Sequence, residues 1–201
     1  MIIKIKFLGT SAAHSNPLPF CNCKICNSAR ASGSKDFRKR SSILINDDLI
    51  IDIGQDFMSA SFMHGVDATK IRYWLQTHSH SDHFAPSHLI TRIAEYAVEN
   101  IKLLSLYASS KCIQNMSVRL SKEEWSGANF IETEWLTRLR MEATSVKHGE
   151  NFICGSYSVT ALNTNHDIDD GSFLYLVNDN TKKLFNGLII DLNECGERGK
   201  I

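Results

Sequence analysis

The sequence predicts an α/β chain forming a single domain over residues 1–201, in which β-hairpins alternate with a few helices. Three observations carry this expectation. A chain of 201 residues is long enough for one domain with a real core and short for two. Apolar residues alternate with period two in "IIKIKFL", and two apolar runs flank a turn in "SSILINDDLIIDIG", both patterns of sheet. Between such segments "PSHLITRIAEYAVEN" carries apolar residues at Leu89, Ile90, Ile93, Ala94 and Ala97, the spacing of one helix face.

In chain order, residues 2–8 read as a strand that stops at Gly9 and enters a loop rich in small residues, proline and cysteine, "GTSAAHSNPLPFCNCKIC". Asn46, Asp47 and Asp48 make the turn of a hairpin that ends at Asp52 and Gly54. Residues 55–65 suit a short helix. "IRYWLQTHSHSDH" is an apolar strand that delivers polar residues at its end, where side chains converge in a cleft. An amphipathic helix is expected from Pro86, a strand in "IKLLSLYAS", and a helix over 111–120. Residues 130–162 mix short strands and turns. "FLYLVND" and "KKLFNGLIID" form a second hairpin around "NDNTKK".

Charge and cysteine usage bound the function. Lys plus Arg and Asp plus Glu each number 22, so there is no global field to steer nucleic acid or a membrane surface. The apolar run of "MIIKIKFLGTSAA" is too short for a signal sequence or a membrane span, and a cytoplasmic location is expected. Three of the six cysteines cluster and the rest are scattered, unlike a disulfide framework. "KDFRKR" at 35–40 is the one local basic run; it reads first as a solvated loop face and second as a phosphate contact through Arg38, Lys39 or Arg40. His14 and His88 are at most residues of a cleft rim, and His64 and His148 show no partner in the sequence.

The chemistry concentrates in "THSHSDH". Side chains two apart share a face of an extended segment, so His78 and His80 point together, and the turn brings Asp82 and His83 to a neighbouring point. One segment can therefore serve two adjacent metals, and imidazole with carboxylate suits zinc, manganese or iron. His166, ending "VTALNTNH", and Asp191, ending "GLIID", could complete the shell; on its own His166 reads equally well as a surface residue, and Asp191 reads more readily as one. Cys21, Cys23 and Cys26, spaced C-x-C-x-x-C, could grip one tetrahedral zinc if a fourth ligand arrives from elsewhere, or be three free thiols in a loop.

Through "THSHSDH", "FLGTSAA" and "LIIDIG" the chain resembles the metallo-β-lactamase-fold hydrolases. The "CNCKIC" segment followed by "RKRSSILI" is most similar to their PhnP-like group of cyclic-phosphate phosphodiesterases. The resemblance implies an αββα sandwich, with two sheets face to face and helices outside. It implies that His78, His80 and His166 bind one divalent metal, that Asp82 and His83 bind a second, and that Asp191 bridges them, the metals being zinc or manganese. Cys21, Cys23 and Cys26 would hold one structural zinc. The implied activity is hydrolysis of a small phosphodiester, cyclic ones included, by a hydroxide held between two metals and oriented by the catalytic Asp82.

The chain departs from that pattern in its last part, where Asp191 lies later than the group's strand-then-aspartate pattern leads us to expect and "LNECGERGKI" lacks the usual small-residue turn. No histidine follows His166, whereas the group carries further histidines beyond the bridging aspartate, so a C-terminally shortened chain with an incompletely liganded second metal is expected. Two alternatives accompany the hydrolase reading. One is a metal-binding protein with little or no turnover; the other is an RNA-processing nuclease of the same superfamily, which the neutral composition disfavours. The expected partner is a small-molecule phosphodiester, with neither membrane nor nucleic acid involved, and an exposed sheet edge would permit a homodimer.

Overall fold

The apolar runs "SILI", "LII", "YWL" and "LSLYA" form short strands buried on both faces or nearly so, and the alternating runs of the C-terminal half form antiparallel strands with one buried face. A computed structural model of the chain describes residues 3–33, 36–96, 101–166, 171–178 and 183–186. The first sheet contains β1 (Ile5–Gly9), β2 (Ser42–Ile45), β3 (Leu49–Ile51), β4 (Tyr73–Leu75), β5 (Leu104–Ala108) and β6 (Met141–Ser145), in that order. The pairs β1–β2 and β2–β3 are antiparallel, and β3 through β6 are parallel. The second sheet, in the order β10 (Lys183–Asn186), β9 (Phe173–Asn178), β8 (Tyr157–Asn163), β7 (Asn151–Cys154), is antiparallel throughout.

Period-two alternation sorts the core into two layers. Ile43, Ile45, Leu49, Ile51 and Leu75 of the first sheet meet Val159, Ala161, Tyr175 and Val177 of the second, forming the core between the sheets. The opposite face of the first sheet, with Leu44, Ile50, Trp74 and Leu106, lies under helices. These helices are α2 (Phe57–Met63), α3 (Ser110–Glu123) and α4 (Thr133–Leu139), which contribute Ala60, Met116, Leu120 and Leu139. Among the described residues helices, sheet and sheet thus stack as three layers, with the two face-to-face sheets of the sandwich that the resemblance implies. Both expected hairpins and the helices of 55–65 and 111–120 are present.

Three elements differ from expectation. The segment from Pro86 is a 3-10 helix, Pro86–Arg92, instead of an amphipathic α-helix. Its backbone makes i→i+3 bonds, His88 N–H to Ala85 O and Ile93 N–H to Ile90 O, because tertiary anchors fix it at both ends. His88 Nε2 bonds Gly54 O, and the Arg92 guanidinium donates to the carbonyls of Leu139, Lys102 and Arg140. The cysteine loop contains a helix, α1 (Lys24–Ser32), with Cys23 at its N-cap. Helix α4 falls in a stretch expected to hold only strands and turns, and ends at Arg140, whose left-handed φ of 52° turns the chain into β6.

Candidate metal centre

Because β3 to β6 run parallel, their C-terminal ends share one edge of the sheet, and Asp52 and "THSHSDH" emerge there side by side. The loop after β4 is drawn into a tight turn by His83 N–H and Phe84 N–H, which both donate to His80 O at 3.0 and 2.8 Å. The loop is bonded to the second sheet where Phe173 N–H donates to Thr77 O at 3.0 Å, so the chain between β8 and β9 reaches the same edge. Gly54 lies directly under the loop: a Cβ there would fall 1.9 Å from Asp82 O, and glycine alone allows so close an approach.

Two groups of side chains converge in this corner. His78, His80 and His166 present ligand atoms within 4.8 Å of one another, and so do His78, Asp82 and His83. His78 is common to both, with ring centroids 4.7 Å from His80, 4.1 Å from His83 and 4.8 Å from His166. His78, Asp82 and His83 are buried, His166 is half-buried and His80 is exposed. The structure thus brings together five of the six residues that sequence reading placed here. The sixth, Asp191, lies outside the described residues.

Asp52 was not among the expected site residues, and it organises the site. Its φ of 63° lies in the left-handed region that favours glycine, a strained setting for a side chain. Asp52 Oδ1 accepts from Thr77 N–H at 2.8 Å, and Oδ2 accepts from Thr77 Oγ1–H at 2.8 Å and from His83 Nδ1 at 2.7 Å. Since the Thr77 hydroxyl proton goes to Asp52, the 3.0 Å contact between Thr77 Oγ1 and His78 Nδ1 requires the ring to donate. His78 Nε2 is left as an acceptor. The sequence signal for Asp52 is slight, a carboxylate ending the buried run "LIIDIG".

Charge follows these contacts. Burial opposes protonation of His83, yet the Asp52 carboxylate and the bonds to Asp52 and Asp82 outweigh it and raise the imidazole to about 10. Burial also works to raise the Asp82 carboxyl, but the 3.1 Å contact with His83 Nε2 holds it at about 2. Burial and then the neighbouring His83, His80 and His166 push His78 down to about 2, keeping it neutral. The neutral His78 imidazole, converging with three further imidazoles beside the ionised Asp82 carboxylate, belongs to a donor set suited to a divalent cation, to which His83 can contribute once it gives up its proton.

A third group lies at the start of α1. The sulfurs of Cys21, Cys23 and Cys26 are within 4.8 Å of one another. Cys23 Sγ accepts from Cys26 N–H and Cys26 Sγ from Leu18 N–H, both at 3.5 Å. The Cys26 N–H is the first cause holding the exposed Cys23 thiol down to about 7. The basic run is engaged with its own surroundings: Arg40 pairs with Asp56 at 3.1 Å and Lys39 bonds Ser59. His148 Nδ1 accepts from Asn163 N–H, and among the described residues no helix is long and apolar enough to cross a membrane.

No protein-family model matches the sequence, and no match was found among curated proteins. Solved structures do match. The zinc-bound PqqB of Methylobacterium extorquens is 19% identical with a TM-score of 0.66, over 92% of this chain and 61% of that one. A diphosphatase of the PhnP family is 19% identical with a TM-score of 0.61, over 88% and 63%. The metallo-β-lactamase fold protein YhfI of Bacillus subtilis is 16% identical with a TM-score of 0.59, over 91% and 61%. The chain has the metallo-β-lactamase fold. It spans about three-fifths of the length of these structures. Within the metallo-β-lactamase fold observed here, Asp52, the "THSHSDH" loop and His166 meet at one edge of the sandwich.

Proposed function

We propose that the corner formed by His78, His80, Asp82, His83 and His166 holds two divalent metal ions, zinc or manganese, and that the chain is a metal-dependent hydrolase of a small phosphodiester. The observation that carries this reading is the pair of converging donor groups that meet at His78, all ligand atoms within each group lying inside 4.8 Å. His78, His80 and His166 form one ligand set, Asp82 and His83 belong to the other, and Asp191 is proposed to bridge. When bound there, the metals would supply Lewis acidity towards a phosphoryl oxygen and a water of lowered pKa.

The protein's own residues orient and hold. Asp52 keeps the His83 ring in place and, through the Thr77 hydroxyl, sets the tautomer that frees His78 Nε2. Asp82, ionised at neutral pH, accepts a hydrogen bond from the attacking water and turns its lone pair towards phosphorus. The preference for a phosphodiester is supported by the cysteine cluster, proposed to hold a structural zinc, and by the fold shared with a PhnP-family diphosphatase.

Elemental mass spectrometry of untagged protein purified without chelator, with hydrolysis of bis(p-nitrophenyl) phosphate, tests the proposal. Two or three equivalents of metal are expected, with turnover that a chelator abolishes and manganese or zinc restores. Fewer than one equivalent and no hydrolysis after metal addition would sink it.

A further inference from the structure

Gln76 is fully buried two residues before the first histidine, where an apolar side chain would fill the space at a smaller cost of desolvation. Its amide is held in one orientation. Trp74 Nε1–H donates to Gln76 Oε1 at 2.8 Å, which turns Nε2 towards the loop, where it donates to His78 O at 2.5 Å and His83 O at 3.1 Å. One amide thus ties the first and last residues of the ligand segment. From the other side, Arg119 of α3 donates through Nη1 to Ser79 O at 3.0 Å and Phe84 O at 2.6 Å. Its guanidinium lies over the Phe84 ring at 5.2 Å and is braced by Glu123 at 2.7 Å. With His80 O taken by two backbone N–H groups, the carbonyls of 78, 79, 80, 83 and 84 are all engaged.

We propose that Gln76 and Arg119 are positioning residues that clamp the loop from its two sides and set the spacing of His78, Asp82 and His83 for a metal. The inference rests on the metal reading given above. Neither residue touches the metal or substrate in this scheme; each acts through the backbone that carries the ligands, so the property they control is metal affinity.

Cobalt(II), titrated into the metal-free chain, is the probe. Bound to thiolates it gives an intense near-ultraviolet charge-transfer band together with visible bands, and bound to imidazole and carboxylate it gives visible bands alone, so the near-ultraviolet band reads the cysteine cluster and the visible bands are read for the histidine cluster in a Cys21→Ser, Cys23→Ser, Cys26→Ser background. Gln76→Met and Arg119→Met are each expected to weaken the visible-band titration about tenfold or more. The thiolate band should titrate as in the wild type, and the far-ultraviolet circular dichroism of the metal-free protein should be preserved. A purely structural role would lower the melting temperature and leave the visible titration of the folded fraction unchanged. Visible-band affinity within about twofold of that background in both folded variants would overturn the clamp and leave the metal centre standing. Absence of visible bands in the cysteine-free background with Gln76 and Arg119 intact would overturn the metal reading and the clamp with it. If Gln76→Met fails to fold, Arg119→Met decides; loss of folding in both would mark the pair as parts of the fold and overturn the proposal.

Discussion

At the scale of the residue, two buried imidazoles stand on opposite sides of their ordinary protonation equilibrium. His83 is raised from 6.5 to about 10, so in the metal-free protein its contribution to stability is complete below about pH 6.5 and is lost as pH rises through 10. His78 is lowered from 6.5 to about 2, so the stability linked to its neutral form is present above about pH 6.5 and is lost as pH falls. Asp52→Asn removes the carboxylate whose charge raises His83. The metal-free variant should melt lower than wild type near neutrality and converge with it towards pH 10, as thermal scans over pH 6–10 would show; a constant gap would refute this assignment. Zinc binding should release the His83 proton, so affinity rises with pH. Much of this residue-level picture is legible in seven letters, because His78, His80, Asp82 and His83 are neighbours along the chain. Asp52, Gln76 and Arg119 were not legible as site residues: their meaning comes from hydrogen bonds made across the fold, of which Asp52 carries only the slight signal of a carboxylate ending an apolar run and an isolated Gln or Arg carries none.

At the scale of the element, legibility tracks how locally each element is determined. The hairpins β2–β3 and β9–β10 follow from apolar runs around polar turns, and both form. The segment after Pro86 has helical spacing, yet His88 and Arg92 are bound to distant carbonyls and tighten it into a 3-10 helix. Helix α1 was hidden by its cysteines, which suggest a loop until Cys23 is seen accepting the Cys26 N–H as an N-cap. Helix α3, which carries Arg119, is capped by Ser109, whose hydroxyl accepts from Cys112 N–H at 3.0 Å. Ser109→Ala should cost about 1 kcal/mol in urea unfolding of the metal-free protein. An unchanged midpoint would show that the cap does not govern this end of α3.

At the scale of the whole molecule, the parallel order β3 to β6 and the position of the end of β8 beside it bring His78 and His166, 88 positions apart, to a ring separation of 4.8 Å. Sequence reading could nominate His166 only weakly, from its place at the end of an alternating run and then through family resemblance, because this closeness depends on sheet topology. A ligand that binds only the folded chain stabilises it by mass action, about 2.7 kcal/mol at a concentration a hundred times its dissociation constant. Zinc should therefore raise the melting temperature in a concentration-dependent and chelator-reversible way; a melting point indifferent to zinc would exclude tight binding at any cluster. The fit of Gly54 beneath Asp82 has a further consequence, for protein engineering. Hairpin end and ligand loop touch backbone to backbone, so the seven residues "THSHSDH" do not constitute a transplantable cassette. A graft into another scaffold would have to carry 52–54 and 74–84 together, with an arginine presented from a covering helix, and a register slip in either strand would undo it.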